Sequence, residues 1–180
     1  MRTTKRIFAL LLAAALLTLS LTGCKQTLTD IAHKIMGTSN EAQEEDTTRW
    51  ADEVGGDLIL EGIADPSAKY DSAMANGNLS VVFNGIWTRK TVYFTAPNGT
   101  LTITASGNAE GTQKFKVAVW QKVEGGTQYV TGSNCYFKTG GLVQQYTVTG
   151  LDPNASYRLT ISYDSSKYYL YGLLKVEGVA

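Results

Sequence analysis

The stretch Phe115-Lys116-Val117-Ala118-Val119-Trp120-Gln121-Lys122 decides the fold class of this chain. Phe115, Val117 and Val119 recur at every second position, which is the period of a β-strand with one buried face. We therefore predict a strand whose three apolar side chains enter a core. Lys116, Trp120 and Lys122 are then expected on its outward face.

Segments of the same kind extend in both directions from this strand. They are separated by turns containing Gly, Asn, Asp and Pro. Short strands at this spacing, with no long helical pattern between them, predict an all-β fold, an antiparallel β-sandwich. The residues from 64 to 78 are expected to form an irregular connection with a helical turn near Ser72–Ala75. The candidate strands are 58–63, 79–83, 91–95, 100–105, 115–122, 128–131, 135–138, 143–149, 157–163 and 168–177.

Turn dipeptides and alternation refine this picture. Asn98-Gly99 is typical of a hairpin and would join strands 91–95 and 100–105. Gly125-Gly126 would join strands 115–122 and 128–131. Gly172 would share the core face of the last strand and let a bulky neighbour approach. The other core residues expected from alternation are Leu159, Ile161, Leu170, Leu174 and Val176.

One motif resembles a known family. Leu151-Asp152-Pro153-Asn154-Ala155-Ser156-Tyr157, followed by a strand, resembles the corner between strands E and F of fibronectin type III domains. The resemblance implies that the Tyr157 hydroxyl bonds back to the backbone and locks a corner that includes Pro153, and that Leu151 fills the core. A jelly-roll of the carbohydrate-binding kind is the alternative sandwich.

The N-terminus is typical of an export signal. Arg2, Lys5 and Arg6 precede an apolar run from 7 to 21, which is shorter than a membrane-spanning helix requires. Leu21-Thr22-Gly23-Cys24 then resembles the lipobox of bacterial lipoproteins. That resemblance implies cleavage after Gly23 and lipidation of Cys24. The mature chain would be anchored by its lipid at the extracytoplasmic face of the cell membrane.

These features divide the chain into three parts. Residues 1–23 are the expected signal peptide, 24–56 a polar tether with a short helix near 29–36, and 57–180 the β-sandwich domain. The acidic stretch Glu41-Ala42-Gln43-Glu44-Glu45-Asp46 buries little apolar surface, which predicts a solvated linker.

Charge and cysteine content exclude several classes of function. The mature chain has 13 basic and 16 acidic residues, a net charge of −3, so we expect no nucleic-acid partner. If Cys24 is lipidated, Cys135 has no disulfide partner. Its apolar surroundings predict a buried structural thiol, because no basic neighbour would lower its pKa.

Catalytic constellations are missing from the sequence. His33 is the one histidine and lies in the tether, which excludes histidine triads and multi-histidine metal sites. We therefore expect no catalytic residues, no bound metal and no cofactor. A glycan hydrolase using paired carboxylates is the weaker alternative; its candidates are Asp65, Asp71, Asp152, Asp164 and Glu177.

Outward aromatics suggest binding instead. By alternation Trp120, Tyr169 and Tyr171 face outward, where aromatic rings stack on sugars or anchor proteins. Tyrosine also simply suits strands and covers neighbouring segments. The sequence therefore favours a non-catalytic module that binds a polysaccharide or a protein at the cell surface. An envelope or assembly component that pairs through an edge strand is the alternative.

Overall fold

A computed structural model describes residues 49–111 and 114–180. The expected signal peptide, Cys24, His33 and the tether up to residue 48 lie outside the described residues. Lipidation of Cys24 therefore stays a prediction.

Within the described residues the chain forms twelve strands and no helix. Every strand ladder between them is antiparallel, which confirms the expected all-β class. The strands are β1 (Asp52–Glu53), β2 (Tyr70–Ala75), β3 (Asn78–Ile86), β4 (Thr88–Lys90), β5 (Phe94–Thr95), β6 (Thr100–Asn108), β7 (Lys114–Val123), β8 (Gly126–Tyr129), β9 (Cys135–Lys138), β10 (Gln144–Thr149), β11 (Ser156–Ser162) and β12 (Leu170–Glu177).

Two sheets form the sandwich. The first sheet has the order β1-β10-β6-β12-β3-β2, and the second has the order β4-β11-β7-β8, with β5 paired to β11 and β9 paired to β7. From β3 onward six of the nine connections cross between the sheets, and those from β4 to β5, β7 to β8 and β8 to β9 stay within the second sheet. The hairpin from β7 to β8, closed by the Val123–Gly126 pair, stays within one sheet, as the Gly125-Gly126 dipeptide predicted.

This strand order decides between the two expected kinds of sandwich. In immunoglobulin-like domains the last two strands are neighbours in one sheet. Here β11 pairs with β4, β5 and β7, whereas β12 pairs with β3 and β6 in the other sheet. The topology is that of a jelly-roll, and a fibronectin type III arrangement is wrong for this chain.

The core lies between the inner faces of the two sheets. Phe115, Val117 and Val119 are fully buried, as the period-two pattern predicted. The rings of Phe115 and Phe137 stack at 5.3 Å, and Phe83 meets Phe115 edge-on at 6.4 Å. The further predicted core residues Leu159, Ile161, Leu170, Leu174 and Val176 are buried too, and so is the thiol residue Cys135.

Gly172 lies where the backbones of β12 and β6 and the Phe83 ring crowd together. A Cβ atom at this position would lie 2.2 Å from the Ser106 carbonyl oxygen and 2.8 Å from the Phe83 ring. The expectation that a bulky neighbour approaches here is confirmed, and that neighbour is Phe83.

The corner before β11 has the expected local geometry despite the different topology. The Tyr157 hydroxyl accepts a hydrogen bond from the Asp152 amide at 2.8 Å and lies 3.1 Å from the Asp152 carbonyl oxygen. Leu151 is buried, and its amide donates to the Gly99 carbonyl. The corner therefore ties the start of β11 to the crossing between β5 and β6.

Two expectations are wrong near the first edge of the domain: the strand at 58–63 and the helical turn near Ser72–Ala75. Residues 58–63 form no strand, and the segment expected to be irregular contains β2. β2 forms a hairpin with β3 and occupies the edge of β3, so residues 58–63 cannot pair there. Residues 58–63 instead run past the outside of β3, where the Glu61 amide donates to the Ser80 hydroxyl.

The hairpin predicted at Asn98-Gly99 is also wrong. A tight turn is present, since the Gly99 amide donates to the Ala96 carbonyl at 2.8 Å. However, β5 pairs with β11 and β6 pairs with β10 and β12, so the turn carries the chain from one sheet to the other.

The end of the segment assigned to the tether packs on the sandwich. β1 pairs with β10, and the backbone of Ala51 and Arg49 bonds with Tyr136 of β9. Trp50 packs on the Tyr136 ring at 5.7 Å, and Ala51 joins the core. These apolar contacts explain why residues 49–54 belong structurally with the domain.

Candidate ligand-binding cleft

Two of the three predicted binding aromatics flank one cleft. Tyr169, immediately before β12, and Tyr171, its second residue, are 41% and 48% exposed. Both line a cleft of about 460 Å³, a size within the usual range for small-ligand sites. The residues that line it are Asn108, Ala109, Glu110, Lys167, Tyr168, Tyr169 and Tyr171.

A third exposed aromatic, Trp87, directly follows β3 and contacts Tyr169 beside this cleft. Trp87 is 45% exposed and stacks on Tyr169, with ring centroids 4.8 Å apart and planes 12° from parallel. Its indole Nε1–H donates to the Tyr168 carbonyl at 2.8 Å. The stack and the hydrogen bond hold two wide, parallel rings in place before any ligand arrives.

A β-bulge at Gly85 places Trp87 on the surface. Leu170 pairs with Ile86 and Tyr171 pairs with Asn84, so Gly85 is an extra residue in β3. Its φ of +87° suits glycine. The bulge shifts the alternation so that Ile86 is buried and Trp87 is exposed.

The same bulge supports Tyr171. A Cβ atom at Gly85 would lie 3.7 Å from the Tyr171 hydroxyl oxygen and 3.8 Å from its ring. The ring therefore lies over the bulge. Asn84 and Asn108 flank Tyr171 on the two neighbouring strands, and the Asn84 amide is used to bind the Pro66 and Ala68 carbonyls.

Trp120 does not belong to this cleft. It lies on β7 in the second sheet, on the outward side as predicted, but it is only 8% exposed. Tyr129 of the paired strand β8 covers it with an edge-on ring contact at 5.6 Å. The three predicted aromatics therefore do not form one surface, and Trp87 replaces Trp120 beside Tyr169 and Tyr171.

The carboxylates considered for hydrolysis are largely used in local structure. Asp65 accepts hydrogen bonds from the hydroxyl and then the amide of Ser67, and these bonds, the hydroxyl's most of all, lower the pKa of the Asp65 carboxyl. Asp71, in β2, accepts the backbone amides of Ala64 and Asp65, and Asp152 accepts the Asn154 amide in its own turn. Glu177 forms an ion pair with Lys175 at 3.2 Å. Acceptor roles of this kind are typical of turn-stabilising acids.

The described residues offer little for nucleophilic or metal chemistry. Burial raises the pKa of the Cys135 thiol to about 12, so it stays protonated near neutral pH. Within 49–111 and 114–180 there is no group of three or more His, Cys, Asp or Glu placed to hold a metal ion. In the same ranges no helix is long and apolar enough to cross a membrane.

Comparison with protein-family models, with curated proteins and with solved structures finds no match to this chain.

Proposed function

We propose that this protein is a lipid-anchored, extracytoplasmic module that binds polysaccharide, without acting on it, through the cleft at Tyr169 and Tyr171 and the Trp87 ring stacked beside it. The observation that carries the proposal is the set of exposed, pre-positioned aromatic rings beside one cleft. Jelly-rolls host unrelated functions, so the argument rests on the site and not on the fold.

The chemistry of the cleft suits a sugar. The axial C–H groups of a pyranose present a flat apolar face that stacks on aromatic rings, while its hydroxyls require donors and acceptors. Asn108, Glu110 and Lys167 line the same cleft and supply both kinds of group. Because the Trp87–Tyr169 stack is already formed, little side-chain entropy would be lost on binding.

The support for the lipid anchor comes from the sequence alone. Leu21-Thr22-Gly23-Cys24 follows a charged start and an apolar run, and the tether would hold the cleft away from the lipid headgroups. Two or more acyl chains on Cys24 would make the attachment stable. Mass spectrometry of the mature N-terminus tests this: a diacylglyceryl-Cys24 terminus is expected, and an unmodified Cys24 would contradict the anchor.

Truncating one exposed ring should weaken sugar binding without unfolding the domain. We expect Tyr171→Ala to reduce affinity for a neutral oligosaccharide about tenfold, the effect of one lost aromatic contact. The measurement is isothermal titration of the full-length protein in detergent with cellohexaose, xylohexaose, mannohexaose and chitohexaose. Trp87→Ala should weaken binding at least as much, since it also leaves Tyr169 unsupported.

Tyr93→Ala provides the matched control. Tyr93 is a similarly exposed tyrosine, but it contacts Lys122 and Arg158 of the second sheet and lies outside the cleft. Its loss should leave hexaose affinity within about twofold of the unmodified protein. Equal losses in Tyr93→Ala and Tyr171→Ala, or no binding to any member of the panel, would contradict the proposal.

A further inference from the structure

Charge is divided between the two sheets. In the part of the chain that the structure describes, the strands of the second sheet contain seven Lys or Arg residues and no Asp or Glu. The strands of the first sheet contain four carboxylates and one Lys. A domain with a balanced overall composition therefore has one strongly basic sheet.

Strand register places most of these cations on one outer face. Lys114 and Lys116 alternate along β7 with the buried residues Phe115 and Val117, so they point away from the core. Lys138 lies opposite Lys114, and Lys90 lies opposite Thr160 on the same side. The cations of this face are Lys90, Lys114, Lys116, Lys122, Lys138 and Arg158.

The densest part of this face we call the basic patch: Lys114, Lys116 and Lys138. Lys114 and Lys138 are directly opposite each other across β7 and β9, an arrangement that is destabilising for like charges. The Lys114 ammonium lies 4.3 Å from the centre of the Tyr136 ring and 5.8 Å from that of Trp50. Aromatic faces thus hold this cation in place without neutralising it.

A concave site lies at the basic patch. Lys114 and Lys116 line a cleft of about 390 Å³ together with Thr88, Tyr136 and Ser162, which supply hydroxyl groups. Asp164 is the one carboxylate among the residues that line this cleft. Tyr163 also lines it, and its buried hydroxyl has no hydrogen-bond partner.

We propose that the basic patch binds an anionic polysaccharide, at a site separate from the aromatic cleft. Carboxylate groups spaced along a sugar chain would pair with Lys114 and Lys138 and relieve the repulsion between them. The hydroxyls of Thr88, Ser162 and Tyr136 match the polar groups between those charges. A concave cleft fits a group projecting from a polymer better than it fits the plane of a bilayer, so the polymer is the occupant we assign.

The test uses polygalacturonate, which carries a carboxylate on each sugar, and neutral dextran as its uncharged counterpart. The full-length protein in detergent is titrated with each at low salt. We expect binding to polygalacturonate and not to dextran, and Lys114→Glu combined with Lys138→Glu should weaken it about tenfold or more, since reversing the charges turns two attractions into repulsions. Raising the salt concentration should weaken binding by the unmodified protein.

Lys69→Glu combined with Lys175→Glu is the matched control, because it changes net charge equally and lies on the first-sheet side. It should retain affinity within about threefold, and far-UV circular dichroism checks that both double variants are folded. Equal polygalacturonate affinity in the two double variants would overturn the proposal. The proposal would also be overturned if the protein bound phosphatidylglycerol vesicles through Lys114 and Lys138 and did not bind polygalacturonate. If Tyr171→Ala binds polygalacturonate as tightly as the unmodified protein, then the basic patch is a site separate from the aromatic cleft.

Discussion

Replacing Gly172 with alanine should lower the free energy of unfolding by about 3 kcal/mol, the upper range for overpacking a closed core. The added methyl group would lie 2.2 Å from the Ser106 carbonyl oxygen, 2.8 Å from the Phe83 ring and 3.0 Å from the Gly107 Cα. Two of these neighbours are backbone atoms of β6, which is paired with β12 and with β10. The strand cannot move without disturbing both ladders. Urea unfolding of the full-length protein, followed by circular dichroism, measures the loss.

Gly126→Ala is the control for this prediction. Gly126 also lies in a strand, but a Cβ atom there would have no heavy atom within 4 Å. Its replacement should change stability by no more than about 0.5 kcal/mol. Similar unfolding midpoints for the Gly172 and Gly126 variants would show that β12 and β6 are not packed as closely as described.

The Gly85 bulge connects the fold to the aromatic cleft, so its loss should damage both. A β-branched side chain is strained at a φ of +87°, and Gly85→Val should cost about 2 kcal/mol of stability. The new side chain would also press on the Tyr171 ring, which lies 3.8 Å from the position of its Cβ. We expect hexaose affinity to fall about tenfold, as for the loss of Tyr171 itself. Thermal unfolding and titration calorimetry measure the two effects.

Gly77→Val separates strain from site geometry. Gly77 has a φ of +75° in the turn between β2 and β3, and the Val179 carbonyl is the neighbour within reach of its Cβ. Its substitution should cost similar stability yet leave hexaose affinity within about twofold of the unmodified protein, since no cleft residue contacts it. If the Gly77 and Gly85 variants lose equal affinity, then the bulge does not position the aromatic rings.

Period-two alternation predicted the middle of the fold because those strands have one buried and one outward face. Phe115, Val117 and Val119 are the clearest case. Alternation could not assign β2, whose residues are mostly half-buried at a sheet edge. A different signal was present: Asn76-Gly77 joins β2 to β3 as a two-residue loop, with positive φ at both residues.

Sheet assignment depends on long-range pairing that no local pattern contains. Asn98-Gly99 has the composition of a hairpin and forms a tight turn, but its flanking strands belong to different sheets. The corner at Tyr157 was predicted correctly because its hydrogen bonds lie within five residues of sequence. That corner did not specify the fibronectin type III topology.

Alternation predicted only part of the candidate site, because it gives the direction of a side chain and not what covers it. Alternation predicted that the side chains of Tyr169, Tyr171 and Trp120 point away from the core, and all three do. It could not show that Tyr129, on the neighbouring strand, covers Trp120. Trp87 was missed because the bulge at Gly85 reverses the alternation of β3, and only that isolated glycine signals the change.

The most direct test of sugar binding at the aromatic cleft follows the three tryptophan indole N–H signals by heteronuclear NMR. Trp87 stacks on Tyr169 beside the cleft, Trp50 lies beside Tyr136, and Trp120 is buried under Tyr129. Single Trp→Phe variants assign the signals, and the protein is titrated with the hexaose that binds most tightly. We predict that the Trp87 signal shifts in proportion to saturation while those of Trp50 and Trp120 stay in place. A saturated complex in which the Trp87 signal does not move would contradict the account.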